Sequence, residues 1–163
     1  MSGATLVAKL GADITPLPRG ATIGIFGGGQ LGRMLAQSAS ALGLSTHIFD
    51  PFADTPAGRV ADCQTVAAYE DLEAVAQFAR ACDVITYEFE NIPLVAVECA
   101  NTETKVFPSA LALQTSHDRL VEKTFLRTQA DAPVVEFAAI ETMAALSDFV
   151  QKFGAPAVLK TRR

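Results

Sequence analysis

A chain of 163 residues, half of them hydrophobic, is long enough for one domain with a sizeable core, or one domain and part of another. Its formal net charge is -5, and its 13 Lys and Arg form no long block, which argues against the concentrated basic face of a nucleic-acid binder. Three cysteines and two histidines, with no Cys-x-x-Cys, argue against a zinc site or a disulfide framework and for reduced thiols in the cytoplasm.

Residues 1–20 include Lys9, Asp13, Pro16, Pro18 and Arg19. They do not look like a signal peptide and read as a loosely ordered N-terminal extension. No stretch approaches the roughly 18 apolar residues of a membrane helix, so no membrane partner is expected. Residues 21–26 are apolar on both faces, as in a strand of a covered parallel sheet. The run then breaks into Gly27-Gly28-Gly29-Gln30-Leu31-Gly32, in which Gly27, Gly29 and Gly32 have the G-x-G-x-x-G spacing. Such a turn lets backbone approach a bound group at a helix N-terminus. A helix over 30–42 places Leu31, Met34, Leu35 and Leu42 along one side, and Gly43 stops it. Residues 45–49 form the second strand of a right-handed βαβ unit that ends at Asp50-Pro51.

A loop rich in Pro, Ala and Asp follows, then a short strand at 64–66 and a helix over 71–81 with Leu72, Val75, Ala76 and Ala79 on one face. The strand at 83–87 delivers Glu88-Phe89-Glu90-Asn91 to its C-terminal edge, where open α/β sheets bind ligands. Further on, the pattern predicts a helix at 93–100, a short strand at 105–107, a helical turn capped by Ser109, and a helix over 117–129 with Thr115 and Asp118 in capping-box spacing. From residue 133 the rhythm alters: a strand at 134–140, a helix over 142–153 stopped by Gly154, and a strand at 156–161. The domain expectation is therefore an α/β, Rossmann-like domain with a parallel sheet over 21–132, followed by the incomplete opening of a second domain over 133–163.

Locally, the glycines suggest a nucleotide. Asp50 stands about where the ribose-binding acid of an NAD site would lie, so an NAD-binding oxidoreductase domain is one reading. The alternative is that Asp50 merely caps a loop. A non-catalytic nucleotide-binding module is a further reading.

Additional residues carry a resemblance. Gly27-Gly28-Gly29-Gln30-Leu31-Gly32-Arg33-Met34 resembles the N-terminal signature of the N5-carboxyaminoimidazole ribonucleotide synthetase family of ATP-grasp ligases. Asp50-Pro51 with Pro56-Ala57, Thr86-Tyr87-Glu88-Phe89-Glu90-Asn91-Ile92-Pro93, Asp118-Arg119-Leu120 with Lys123 and Phe125-Leu126, and Val158-Leu159-Lys160-Thr161-Arg162-Arg163 agree in order and spacing. The resemblance covers about residues 21–163. It implies a Rossmann-like pre-ATP-grasp domain, then the start of an ATP-grasp domain. The implied parent activity carboxylates 5-aminoimidazole ribonucleotide with bicarbonate at the expense of ATP, in purine biosynthesis, with Mg²⁺ on the nucleotide and carboxyphosphate as the intermediate. Bicarbonate is a poor electrophile until phosphorylation supplies a leaving group, and such chemistry rests on positioning and on cations that offset phosphate charge.

Residue by residue, the resemblance implies substrate contacts at Gly29, Gln30, Leu31 and Glu88, and ATP contacts at Arg119 and Lys160. The Gln30 amide can both donate and accept, the Glu88 carboxylate can receive ribose or amine hydrogen bonds, and the Arg119 fork suits phosphate. Each has an ordinary structural alternative: a solvent-facing helix residue, a solvated loop acid, a surface arginine, a strand-end lysine. Glu90 would share a face with Glu88 if the strand continued. The family's glycine-rich phosphate loop, metal-binding acids and C-terminal domain have no counterpart before Arg163. The chain thus resembles the N-terminal portion of such an enzyme and is expected to be inactive alone, with the metal ligands elsewhere; a homodimer is left open.

Overall fold

The computed structural model describes residues 16–89 and 91–162. The N-terminal extension up to residue 15, together with Glu90 and Arg163, lies outside the described residues. Ten elements follow one another: β1 Thr22–Phe26, α1 Gln30–Ala41, β2 Ser45–Asp50, β3 Cys63–Val66, α2 Leu72–Arg80, β4 Val84–Tyr87, α3 Leu94–Glu103, α4 Ala110–Ser116, α5 Arg119–Thr128 and α6 Met143–Phe153. The four strands form one parallel sheet in the order β3-β2-β1-β4. The α/β class expected from the alternation of strand and helix patterns is the one observed.

Alternation along the strands builds a core on each face of the sheet. Phe26 and Phe49 point to one face, where they meet Phe78 of α2 with ring centroids 5.0 and 5.3 Å away and join Val75, Ala79, Ile92, Val97 and Leu113. Ile25 and Ile48 point to the other, against Ala36 of α1 and Ala57 of the loop after β2. Both faces are covered, which is why β1 carries apolar side chains on both of its faces. The backbone of residues 105–107 lies beside β4 as a single parallel bridge, Ile85 to Val106, where a short strand is expected from the sequence.

Helix α1 packs the opposite way to its expected orientation. Leu31, Met34 and Leu42 are 56, 53 and 73 % exposed, whereas Gly32, Ala36 and Ala39 are buried. The reason is closeness of approach. A Cβ on Gly32 would stand 2.4 Å from the Gly27 carbonyl oxygen, so only small side chains fit between this helix and the sheet. The helix ends as expected: Gly43 has φ +77°, its N–H donates to Ser40 O, and Leu44 N–H donates to Ala39 O, a Schellman closure.

Asp118, rather than Thr115, caps α5: its carboxylate accepts from the N–H groups of Leu120 and Val121, so the helix begins two residues later than the pattern suggests. Ser109 caps α4 and Thr142 caps α6 through their hydroxyls. The strands expected at 134–140 and 156–161 do not form. The first segment instead meets the end of α5, with Val135 O accepting from Arg127 and the Phe137 ring 4.4 Å from the Arg127 guanidinium carbon. Neither segment has a neighbouring strand to complete its backbone hydrogen bonds, and Val158 and Leu159 are exposed. No residue of α5 or α6 is buried.

Candidate functional site

The C-terminal edge of the sheet gathers residues from four segments. The turn after β1 is made possible by Gly27, whose φ of +109° is open to glycine alone among common residues. Its N–H donates to Phe49 O, which ties the turn to β2. Asp50, at the end of β2, accepts the Gly28 N–H on Oδ2 at 2.7 Å and the Phe52 N–H on Oδ1 at 2.8 Å. The loop after β2 then folds back over the turn. Ala57 N–H donates to Gly28 O, and a Cβ on Gly28 would fall within 2.5 Å of the Thr55 hydroxyl. Gly28 is thus clamped between Asp50 and Thr55, both buried.

This settles the role of Asp50 within the fold. Both of its oxygens are engaged with backbone N–H groups, and the side chain is buried. The loop-capping alternative describes it; the free ribose-binding acid of a dinucleotide site does not.

Glu88 crosses the same turn from β4. Its Oε1 lies 2.9 Å from the Cβ position of Gly29, and its Cγ lies 2.9 Å from that of Gly27. The missing side chains of Gly27 and Gly29 are therefore what gives Glu88 its place. Partial burial, with the nearby Asp50 charge, raises its carboxyl pKa above the usual value. Gly29 occupies the N-cap position of α1 and supplies no side-chain cap, so the first turn of α1 presents backbone N–H groups toward the edge. Gln30 and Leu31 are exposed at that first turn. The structure therefore brings Gly29, Gln30, Leu31 and Glu88 together at one edge.

Sequence reasoning passes over two residues of this edge. Thr55 gives no signal beyond lying in a Pro- and Asp-rich loop. Tyr69, one of only two tyrosines in the chain, places its hydroxyl beneath the edge, sealed from solvent and without a hydrogen-bond partner among the described residues. The rarity of the residue just before a helix is the one available hint.

Arg119 and Lys160 lie on two segments that touch one another. The Arg119 N–H donates to Arg162 O at 3.0 Å, and the Arg162 guanidinium pairs with Asp118, so the C-terminal segment runs beside the start of α5. Arg162 holds the Asp118 carboxyl below the usual carboxylate range, helped by the Leu120 and Val121 N–H groups. Arg119 and Lys160 are exposed, and neither forms an ion pair among the described residues. Lys160 sits outside any strand rather than at a strand end. Two unspent cations on adjoining segments suit phosphate oxygens. Among the described residues no group of three or more His, Cys, Asp or Glu side chains could hold a metal ion. No helix among the described residues is long and apolar enough to cross a membrane.

Residues 20–117, which include the glycine turn, Glu88 and the parallel sheet, match the model of the ribonucleotide synthetase pre-ATP-grasp domain. The chain belongs to that family. Similar pre-ATP-grasp regions occur in larger proteins. The N5-carboxyaminoimidazole ribonucleotide synthase of Brucella melitensis is 44 % identical over 151 residues, which is 93 % of this chain and 41 % of that protein. A bifunctional purine synthesis protein of Dictyostelium discoideum is 46 % identical over 145 residues, 89 % of this chain and 14 % of the relative. Among solved structures, the Staphylococcus aureus N5-carboxyaminoimidazole synthetase complexed with ADP superposes with a TM-score of 0.76 at 39 % identity, covering 86 % of this chain and 37 % of that one. The Aspergillus clavatus N5-carboxyaminoimidazole synthase, in complex with ADP and 5-aminoimidazole ribonucleotide, gives 0.73 at 32 % identity over 85 % and 37 %. The chain spans about two-fifths or less of the length of these relatives.

Proposed function

We propose that this pre-ATP-grasp chain forms the ribonucleotide-binding part of an ATP-dependent ligase that carboxylates 5-aminoimidazole ribonucleotide with bicarbonate in purine biosynthesis. The observation that carries the reading is the seating of the Glu88 carboxylate over Gly27 and Gly29, beside the open first turn of α1. A carboxylate accepts hydrogen bonds from ribose hydroxyls or an amine, while the helix N-terminus and the Gln30 amide offer donors. The two sets of groups can orient a small polar ligand bearing both donors and acceptors, such as an amino-substituted ribonucleotide. Gly29, Gln30, Leu31 and Glu88 are the proposed substrate contacts. The relatives named for this product, and one solved with this ribonucleotide, support the choice of ligand.

Arg119 and Lys160 are the proposed contacts to ATP phosphates, supported by their exposure, their lack of ion-pair partners and the ADP found in similar structures. ATP, when bound, supplies the phosphoryl group that activates bicarbonate. The residues of this chain bind and orient: the turn and Glu88 hold the amine-bearing ligand, and the cations at the α5 start offset phosphate charge. Domain limits of 21–132 for the substrate part and 133 onward for the opening of the ATP-grasp part complete the proposal.

The test is calorimetry with 5-aminoimidazole ribonucleotide, ATP and NAD titrated in parallel. The ribonucleotide is expected to bind and ATP to bind weakly; binding of NAD alone would overturn the ligase reading. In a full-length ligase carrying this sequence, Lys160→Ala is expected to raise the KM for ATP or lower kcat. Unchanged kinetics would remove Lys160 from the site.

A further inference from the structure

Tyr69 presents a donor with nothing to donate to. Its hydroxyl is closed off from solvent and unpartnered among the described residues, which leaves a desolvated donor uncompensated. The ring cannot easily move to relieve this: it is packed by Phe26, Phe49 and Phe89, with centroids 6.0, 5.6 and 6.3 Å away. Burial and the charges of Asp50 and Glu88 push the phenol pKa far upward, so the hydroxyl keeps its proton and remains a donor. Of those two acids, Asp50 is already held at both oxygens by Gly28 and Phe52. The Glu88 backbone N–H donates to Phe26 O, but its carboxylate has no hydrogen-bond partner among the described residues, and Phe89, the residue after it, packs on the Tyr69 ring.

Resting on the proposed ribonucleotide reading of this edge, we propose that Tyr69 is a positioning residue whose hydroxyl donates to the Glu88 carboxylate when the amine-bearing ribonucleotide is bound. Among the described residues the free chain holds an unpaired phenol donor and an unpaired carboxylate at the same edge, bridged by the Phe89 ring, and in the bound state a rotated Glu88 side chain accepts the phenol hydrogen bond. Ligand contacts to one carboxylate oxygen hold Glu88 in a single rotamer, and the other oxygen takes the Tyr69 proton donor. The phenol then keeps Glu88 ionised and aimed at the glycine turn, against the opposing influence of Asp50 and of burial.

The experiment measures binding of 5-aminoimidazole ribonucleotide by calorimetry for the unaltered chain, Tyr69→Phe, Glu88→Ala and the double variant, across a pH series. Phe keeps the ring packing, so the Tm of Tyr69→Phe is expected to stay the same or rise. Affinity is expected to fall about tenfold in Tyr69→Phe, as for loss of one hydrogen bond to a charged group. The double variant is expected to bind no worse than Glu88→Ala, because Tyr69 acts only through Glu88. The acid limb of binding, set by Glu88 facing Asp50 and Tyr69, is expected to move to higher pH in Tyr69→Phe. Unchanged affinity in Tyr69→Phe, or a loss additive with that of Glu88→Ala, overturns the inference while leaving the ribonucleotide reading intact. Absence of ribonucleotide binding by the unaltered chain overturns both.

Discussion

The carboxylate of Asp50 accepts the amide proton of Gly28 at 2.7 Å across 22 residues of sequence, and so fastens the end of β2 to the glycine turn after β1. The same carboxylate turns the chain onward by accepting from Phe52. One side chain thus sets the shape of the turn over which Glu88 lies. Asp50→Ala removes two charge-assisted bonds to buried or partly buried N–H groups, and a loss of roughly 2–4 kcal/mol in unfolding free energy is expected from urea titration. NAD is expected to leave the Tm of the unaltered chain unchanged in thermal shift, since this acid is not available to a ribose.

Gly32→Ala tests the close approach of α1. Inside a helix, Ala is ordinarily favoured over Gly by about 1 kcal/mol. Here the new methyl would stand 2.4 Å from the Gly27 carbonyl oxygen, which is backbone and cannot swing aside. The variant is expected to be destabilised by about 2 kcal/mol or more in the same titration, with the ribonucleotide affinity reduced because the turn is displaced. Gly43→Ala provides the contrast. That position has open space around it and only a positive φ to oppose the methyl, so its cost is expected to be about 1 kcal/mol with binding retained.

Glu88→Gln is expected to separate stability from binding. Burial and Asp50 raise the Glu88 pKa, so the folded chain holds this proton to higher pH than the unfolded chain does. Stability contributed by the protonated form is therefore lost as pH rises from the ordinary glutamate value through the folded value. At neutral pH the charge is a mild liability, and the amide variant is expected to have an equal or higher Tm. Affinity for 5-aminoimidazole ribonucleotide is expected to fall, and calorimetry beside a melting curve reads both.

His47 gives a pH dependence of opposite sign. Its ring is buried in β2, 4.9 Å from the Phe78 ring and with Nε2 2.9 Å from the Thr65 hydroxyl; burial lowers its pKa. Below the unfolded value of 6.5 the unfolded chain takes up the proton first, so stability is full above that pH and declines as pH falls below it. The urea midpoint is expected to drop between pH 7.5 and pH 5.5, and the drop to be smaller in His47→Gln.

Asp118→Asn tests the link between the C-terminal segment and α5. Asn also serves as an N-cap, so α5 is expected to persist, while the ion pair to Arg162 is lost. Amide hydrogen exchange of the Arg119 N–H, which donates to Arg162 O, is expected to quicken, with α4 and the sheet unaffected.

Much of the site was legible in the chain itself. An apolar run breaking into Gly27-Gly28-Gly29 announces a strand-to-helix turn, because only glycine tolerates the backbone that Gly27 adopts. The run 84–87 announces a strand that leaves Glu88 at its C-terminal end, and Gly43 and Gly154 announce helix ends through the same left-handed geometry. These are local matters of backbone sterics and side-chain periodicity, and local sequence decides them.

What needed the tertiary structure was every question of which surfaces meet. Periodicity marked the large apolar residues of α1 as its inner face, but the space between helix and strand admits only Gly32, Ala36 and Ala39. Asp50 has the spacing of a dinucleotide reader, yet the amide that occupies it lies in another segment. The apolar stretches at 134–140 and 156–161 have strand-like composition, but a strand exists only where a neighbour completes its hydrogen bonds, and none adjoins them here. Tyr69 reaches the edge solely through the stacking of rings from β1, β2 and the segment after β4. Local sequence sets the conformations a segment can adopt; distances between segments, settled only when the sheet is assembled, set what its side chains do.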